Sequence, residues 1–262
     1  MEAGISTTTG RADGPELSIV IPAYNEAQRL PLTLRRLNEY LQTQSYDWDI
    51  TVVSNGSTDA TDRVVRDAAD WLPNLHLLSI EERGKGIALK VGALSSRGKV
   101  LFLCDADLSM PAPEIASFLE ALKDADIVAG SREAEGAHRY GEPWHRHLMG
   151  RIFNRIVQLM AVPGIDDTQC GFKALRREAA DELFSRLTLH GWGYDVELLY
   201  LARKYGYRVK ELGIDWYFDA DTRVRPGTDT LSMLRELLLI RLRDARGRYR
   251  RPALAAQGED RV

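Results

Sequence analysis

The chain has 262 residues, a hydrophobic fraction of 44% and a formal net charge of −3. That length fits one large α/β domain, or one domain with an elaborated tail, and the composition is ordinary for a protein with a real core. The near-neutral balance excludes a whole-molecule electrostatic partner for nucleic acid, and two cysteines, Cys104 and Cys170, are too few for a disulfide framework, which favours a reducing cytosolic setting.

Residues 1–16 are small, polar and charged, lack the apolar core of a secretory signal, and are expected to form a disordered leader. Residues 17–21 read as a strand ended by Pro22, and Asn25-Glu26 begins a loop into a helix near 29–41. A second strand at 50–53 is closed by Ser54-Asn55-Gly56-Ser57, where Ser57 or Thr58 can cap the next helix. Residues 75–80 form a third strand, Gly84-Lys85-Gly86 opens a helix through 93, and 100–104 form a fourth strand. A helix near 113–122 leads into a fifth strand at 126–129. Strands alternating with helices predict a mostly parallel sheet with helices on both faces. In such sheets ligands bind outside the carboxyl ends of the strands. Tyr24-Asn25-Glu26, Ser54-Asn55-Gly56, Asp105-Ala106-Asp107 and Ser131-Arg132 all fall at those ends, so four polar clusters converge on one edge.

The second half has a different texture. Leu148, Met149, Ile152, Phe153, Ile156, Val157 and Met160 form a helical apolar stripe, with Arg151, Asn154, Arg155 and Gln158 opposite. Residues 167–173 are a polar loop entering a short strand, 194–204 a helix and 207–214 a strand. Leu231, Leu234, Leu238 and Leu242 define a last amphipathic helix, and seven Arg face two acids between 235 and 251. Both helices fit either a core cover or an anionic bilayer surface. No run approaches the roughly 18 apolar residues of a membrane span. The organisation expected is a leader (1–16), a catalytic domain (17–228) and a helix with a basic tail (229–262).

The chemistry centres on Val100-Leu101-Phe102-Leu103-Cys104-Asp105-Ala106-Asp107. A buried strand delivers two carboxylates, and in extended chain alternate side chains point the same way, so both can reach one hard cation. Oxygen ligands suit Mg²⁺ or Mn²⁺, and Mg²⁺ commonly takes one or two carboxylates plus substrate phosphates. No Gly-x-Gly-x-x-Gly follows the first strand, and Gly84-x-Gly86 is followed by Leu89 where the fingerprint needs glycine. A pyrophosphate would therefore be held by a metal on the acid pair and by Arg and Lys side chains. Each residue also has a plainer reading: Glu26 as a favourable charge at a helix N-terminus, Asn55-Gly56-Ser57 as turn chemistry, Lys85 as a solvated helix start. His138, His145 and His147 lack the Cys or Glu partners of a zinc site and read as loop residues. Trp144, Trp192 and Trp216 read as core or rim.

Pro22-Ala23-Tyr24-Asn25-Glu26, Val52 through Asp59, Arg83-Gly84-Lys85-Gly86, Asp105 through Ser109, and Gly130-Ser131-Arg132 resemble, in that order, the motifs of family 2 glycosyltransferases with the A-type fold. Asp167 through Lys173, Trp192 through Glu197, and Arg223-Val224-Arg225 are similar to polyprenyl- or dolichyl-phosphate glucosyltransferases and mannosyltransferases. The resemblance spans about residues 17–243. It implies inverting transfer of a hexose from a nucleotide-sugar, with Mg²⁺ or Mn²⁺, to a polyprenyl phosphate. It also implies roles: Pro22, Tyr24, Glu26, Val53 and Asn55 for base and ribose; Asp105, Ala106 and Asp107 for metal and diphosphate, with Ser109 near the metal; Arg132, Arg223, Arg225 and Lys85 for phosphates; Asp167, Gln169 and Lys173 for the acceptor region. Two departures stand out. Ser54-Asn55 replaces a pair of acids common in the family, and Ser109 stands where the mannosyl branch often has Gln. The second tilts the donor towards UDP-glucose over GDP-mannose.

A lipid phosphate is already anionic near neutral pH, its second pKa being about 6, and needs positioning more than a base. A hydroxyl acceptor would need a carboxylate, with Asp195 or Glu197 as candidates and Asp167 behind them. Being two apart on a helix, Asp195 and Glu197 do not share a face. The rival readings are a soluble hydroxyl acceptor, a non-catalytic nucleotide-sugar-binding protein and a nucleotidyltransferase. A lipid acceptor would bring the protein to the cytoplasmic face of a membrane as a peripheral protein.

Overall fold

A computed structural model describes residues 14–219 and 228–251. Its strands are β1 (Leu17–Ala23), β2 (Trp48–Asn55), β3 (Leu75–Ile80), β4 (Val100–Leu103), β5 (Ile127–Ser131), β6 (His138–Tyr140), β7 (Lys173–Arg176), β8 (Val209–Gly213) and β9 (Asp215–Tyr217). The helices are α1 (Leu30–Leu41), α2 (Thr61–Ala68), α3 (Lys85–Ser95), α4 (Ile115–Ala121), α5 (Trp144–Met160), α6 (Arg177–Arg186), α7 (Tyr194–Lys204) and α8 (Thr228–Ala245). Seven strands form one sheet in the order β3-β2-β1-β4-β7-β5-β8, and β6 pairs with β9 apart from it. Only β7 runs antiparallel to its neighbours, so the sheet is mostly parallel, as the alternating pattern predicts.

The sheet is buried on both faces, which is why its strands read as near-continuous apolar runs. Ile19 and Ile21 of β1 join one core with Leu34 of α1, Val65 of α2 and Phe118 of α4. Val20, between them, joins the opposite core with Leu89 of α3, Leu183 of α6 and Leu198 of α7. The period of two along β1 thus divides one strand between two layers. Among the expected leader residues, Pro15 and Glu16 already pair with the start of β4, their carbonyls accepting from the Lys99 and Val100 N–H groups.

Several expectations need adjustment. α2 starts at Thr61, and Asp59, not Ser57 or Thr58, accepts from the Thr61 N–H at 2.9 Å. The asparagine loop holds Ser57 and Thr58 elsewhere, as described below. His145 and His147 lie in α5, not in a loop. On α8 the buried residues are Met233, Leu237 and Ile240, while Leu231, Leu238 and Leu242 are exposed. Three of the four leucines read from sequence therefore lie on the outer face, Leu234 leans on the second core, and the helix is apolar on two sides. α8 also belongs to the second core: Leu237, Ile240 and Tyr249 pack with α7 residues there, so no boundary near 228 separates them in packing. α5 divides similarly. Val157 is buried and Phe153, Ile156 and Met160 lean on the core, but Leu148, Met149 and Ile152 are exposed.

Candidate active site

β4 hands its register on past its end: the Cys104 N–H still bonds the Val20 carbonyl at 3.0 Å. The next three residues form the acid rim. Asp105 lies 2.6 Å from the Lys85 Nζ. Behind it is Gly171, where a Cβ would fall 2.0 Å from the Asp105 Oδ2, so only glycine leaves room for that carboxylate. The Ala106 carbonyl accepts from the Thr33 hydroxyl at 2.7 Å. Asp107 accepts from the Ser109 N–H at 3.2 Å, across a turn in which Leu108 has φ 44°. A leucine takes that left-handed conformation only where its surroundings impose it. Burial, and then the Asp105 charge, push the Asp107 carboxyl up to about 6. The Ser109 hydroxyl accepts from the Trp216 indole N–H at 3.0 Å, and its carbonyl accepts from the Tyr217 N–H at 2.8 Å, which ties the rim to β9.

The nucleotide side is built by two loops stitched together. Asn25, at φ 54°, donates its N–H to the Ser57 hydroxyl (3.1 Å) and accepts the Thr58 N–H on its side chain (2.7 Å). The Glu26 N–H bonds the Thr61 hydroxyl at 2.8 Å. The sequence marks Asn25 only as the start of a loop; the residue type, which tolerates a left-handed backbone and offers a side-chain oxygen, was the signal available. Tyr24 is half-buried under Arg83, whose guanidinium carbon is 4.9 Å from the ring centroid. Glu26 is buried and held by Arg29 through bonds of 2.6 and 2.5 Å, and Arg29 also reaches Asp219 at 3.3 Å. The i,i+3 spacing of Glu26 and Arg29 is visible in the sequence, whereas the Asp219 contact, 190 residues away, is not. Asn55 is buried at the end of β2 and Pro22 is half-buried in β1. The Val53 side chain sits in the core against Gly92, so only its backbone is available to a ligand. Arg223 and Arg225 lie outside the described residues.

The residues expected to face the acceptor form a set of closed ion pairs. Arg132 grips Asp167 with Nε (2.6 Å) and Nη2 (2.9 Å), and its backbone N–H adds a third bond at 3.0 Å. Burial alone would raise the Asp167 pKa, but Arg132 overrides it and holds the carboxyl at about 2. Arg132 also lies 5.2 Å over Trp216, which is a rim residue as expected. Gln169 donates its backbone N–H to Asp167 at 3.2 Å. Lys173, fully buried, donates to the Cys170 carbonyl and to Asp195, both within 2.6 Å. Glu197 points elsewhere: it accepts from the Thr188 N–H (2.9 Å), the Leu189 N–H (2.8 Å) and the Tyr249 hydroxyl (2.5 Å). It anchors the chain after α8 and takes no part in the site, which corrects its standing as a candidate base. Asp195, committed to Lys173, is poorly placed to accept a substrate proton.

Among the described residues, no cluster of three or more His, Cys, Asp or Glu side chains could hold an ion by itself. That fits a cation bound by two carboxylates and completed by phosphate oxygens and water. The half-buried Asp107 and the glycine-shaped cradle of Asp105 suit such an ion, because a partly desolvated carboxylate pair gains from a compensating charge.

Comparison with known proteins decides the family. The model for glycosyl transferase family 2 matches residues 18–184. The chain belongs to that family. A dolichyl-phosphate beta-glucosyltransferase of Homo sapiens is 33% identical over 253 residues, covering 90% of this chain and 78% of the relative. One of Drosophila melanogaster is 36% identical over 253 residues, covering 90% and 77%. Among solved structures, glucosyl-3-phosphoglycerate synthase from Mycobacterium tuberculosis, in complex with Mn²⁺, UDP and phosphoglyceric acid, superposes with a TM-score of 0.64. It is 18% identical and covers 92% of this chain and 81% of that one. The same synthase with Mg²⁺ and UDP gives 0.62 at 18% identity, with 92% and 82% covered. The fold is thus shared with a synthase whose solved complexes contain Mn²⁺ or Mg²⁺ together with UDP.

Proposed function

We propose that this glycosyltransferase moves glucose, with inversion, from UDP-glucose to the phosphate of a polyprenyl lipid such as dolichyl phosphate. One observation carries the choice of acceptor. Neither candidate near the rim is free, since Asp195 is closed by Lys173 and Asp167 by Arg132, and Glu197 is turned away to the 188–189 segment. A hydroxyl nucleophile would lack a free base, whereas a phosphate monoester brings its own negative charge and only needs holding. The names of the relatives support the same reading, and so does Ser109 in place of the Gln common in the mannosyl branch.

Asp105 and Asp107 would hold Mg²⁺ or Mn²⁺, which when bound supplies charge to the departing diphosphate. Tyr24, Asn55 and the backbone around Pro22 and Val53 would hold base and ribose, with Arg223 and Arg225 on the phosphates. Arg132 gives Asp167 two of its guanidinium N–H groups and keeps others for a phosphate. Beside it opens a cavity of about 470 Å³ lined by Arg139, Glu142, Trp144 and His147 among others. That cavity lies at the start of α5, whose outer face carries Trp144, Leu148, Met149, Ile152 and Leu159 beside Arg151 and Arg155. On α8, Leu231, Leu238 and Leu242 share one exposed face with Arg235. No described helix is long and apolar enough to cross a membrane. Apolar stripes edged with arginine suit shallow contact with an anionic leaflet, and the cytoplasmic leaflet carries that charge.

The test is a panel of UDP- and GDP-sugars with Mn²⁺ or Mg²⁺, offered polyprenyl phosphate or a soluble hydroxyl acceptor, with products identified by mass. Glucosyl-phosphoryl-polyprenol together with UDP is expected. Transfer to the soluble acceptor alone would overturn the reading. In flotation at low salt the protein should rise with vesicles containing anionic lipid, and its failure to do so would remove the membrane contact.

A further inference from the structure

Lys85 is the most constrained cation at the rim. It opens α3 between two glycines that have no room for a side chain: a Cβ on Gly84 would lie 2.2 Å from the His190 carbonyl oxygen, and one on Gly86 would lie 2.5 Å from that of Leu189. The Gly86 N–H bonds the His190 carbonyl at 2.9 Å, so the first turn of α3 is pinned to the segment before α7. From that fixed root the ammonium reaches Asp105 at 2.6 Å, 5.6 Å from the Trp192 ring and 5.9 Å from the Tyr194 ring. Aromatic faces stabilise a cation at such distances. The ammonium thus sits on one of the two carboxylates that a divalent ion would need.

We infer that Lys85 is a built-in competitor for the metal site: its ammonium neutralises Asp105 until a donor diphosphate arrives, so the divalent ion and the nucleotide bind as a coupled pair. This rests on the reading of Asp105 and Asp107 as metal ligands. A divalent ion alone must share Asp105 with a like charge a few ångströms away. When the ion arrives with a diphosphate, the ammonium gains phosphate oxygens as new partners and releases Asp105 at little cost. Metal and nucleotide then strengthen each other's binding by the same factor, as linkage requires. The device keeps the acid pair from filling with metal in the absence of substrate.

The test is a Mn²⁺ titration of the full chain, followed by loss of the free-ion EPR signal, with and without UDP. Lys85→Met should bind Mn²⁺ alone about tenfold more tightly than the wild type, and UDP should then improve its Mn²⁺ affinity by a smaller factor. Lys85→Gln, which keeps a polar end, should behave the same way and guards against a folding defect in the Met variant. If both variants melt like the wild type and bind Mn²⁺ alone no more tightly, the inference is overturned. If the wild type binds no Mn²⁺ even with UDP, the metal reading fails first and takes this one with it.

Discussion

Asp105 and Asp107 on the donor side arrive as the first polar residues after a buried parallel strand, while Asp167, Lys173 and Asp195 on the acceptor side come from a loop, the start of the antiparallel β7 and the start of α7. The donor-side acids are held by backbone and shape: the strand register through Cys104, the left-handed Leu108, the space left by Gly171. The acceptor-side acids are held by charge, each closed by its own cation. The difference separates two tasks. In the roles proposed above, the donor side keeps two neighbouring carboxylates that share one cation, Lys85 on Asp105, and the acceptor side keeps one cation for each acid.

The sharpest break of this contrast is Asp107→Ala. Removing one of the two acids should lower transfer by at least about 10³-fold, since charge stabilisation at the leaving group is lost. The melting temperature should hold or rise slightly, because a half-buried carboxyl beside a second acid is removed. Near-normal UDP release by that variant would deny the donor side its assigned task.

Lys173→Met attacks the acceptor side in the opposite currency, stability. The pair is almost wholly buried, with side-chain exposures of 0% and 4%. Leaving Asp195 without its cation should cost about 3–5 kcal/mol in urea unfolding, and Lys173→Met with Asp195→Asn should recover much of that. A loss below about 1 kcal/mol for the single variant would mean that the pair is hydrated and the acceptor side is not charge-locked.

Gly171→Ala joins the two sides, because its Cβ would land on the Asp105 carboxylate, 2.0 Å from Oδ2. Mn²⁺ affinity in the presence of UDP should fall about 10–100-fold with little change in fold, as when a group supporting a metal ligand is lost. Unchanged affinity would show that Asp105 can shift away from the glycine and still serve.

The same contrast explains what could be read in the sequence. The parallel sheet, the acid pair at its rim and the loop after β1 were legible because each is written in consecutive residues: an apolar run, then its polar end. Arg29 with Asp219, Lys173 with Asp195, and Glu197 with Tyr249 were not, because each pairs residues that the fold alone brings together. Periodicity also misled on α8. A leucine every three or four residues marks an apolar face, but it does not tell a core face from an outer one when Met233, Leu237 and Ile240 form a second stripe on the same helix.

The smallest expected effect lies where the two sides meet, at the β6–β9 pair. Glu114 accepts the Asp215 N–H at 3.1 Å, next to Trp216, which lies under Arg132 and donates to Ser109. Burial, and then the nearby Asp215 charge, raise the Glu114 carboxyl from its usual 4.5 to about 7. An acid whose folded pKa is raised binds more protons folded than unfolded. Its presence therefore leaves stability untouched below about pH 4.5, lowers it as pH rises towards 7, and lowers it no further above 7. Because Glu114 is about half exposed to solvent screening, the effect should be about 1 kcal/mol or less. Glu114→Gln keeps an acceptor for the Asp215 N–H and removes the charge. The variant should match the wild type near pH 4.5 and melt slightly higher at pH 7.5, with the gain appearing between those values. A gain that is the same at both pH values would point to packing and not to the Glu114 charge.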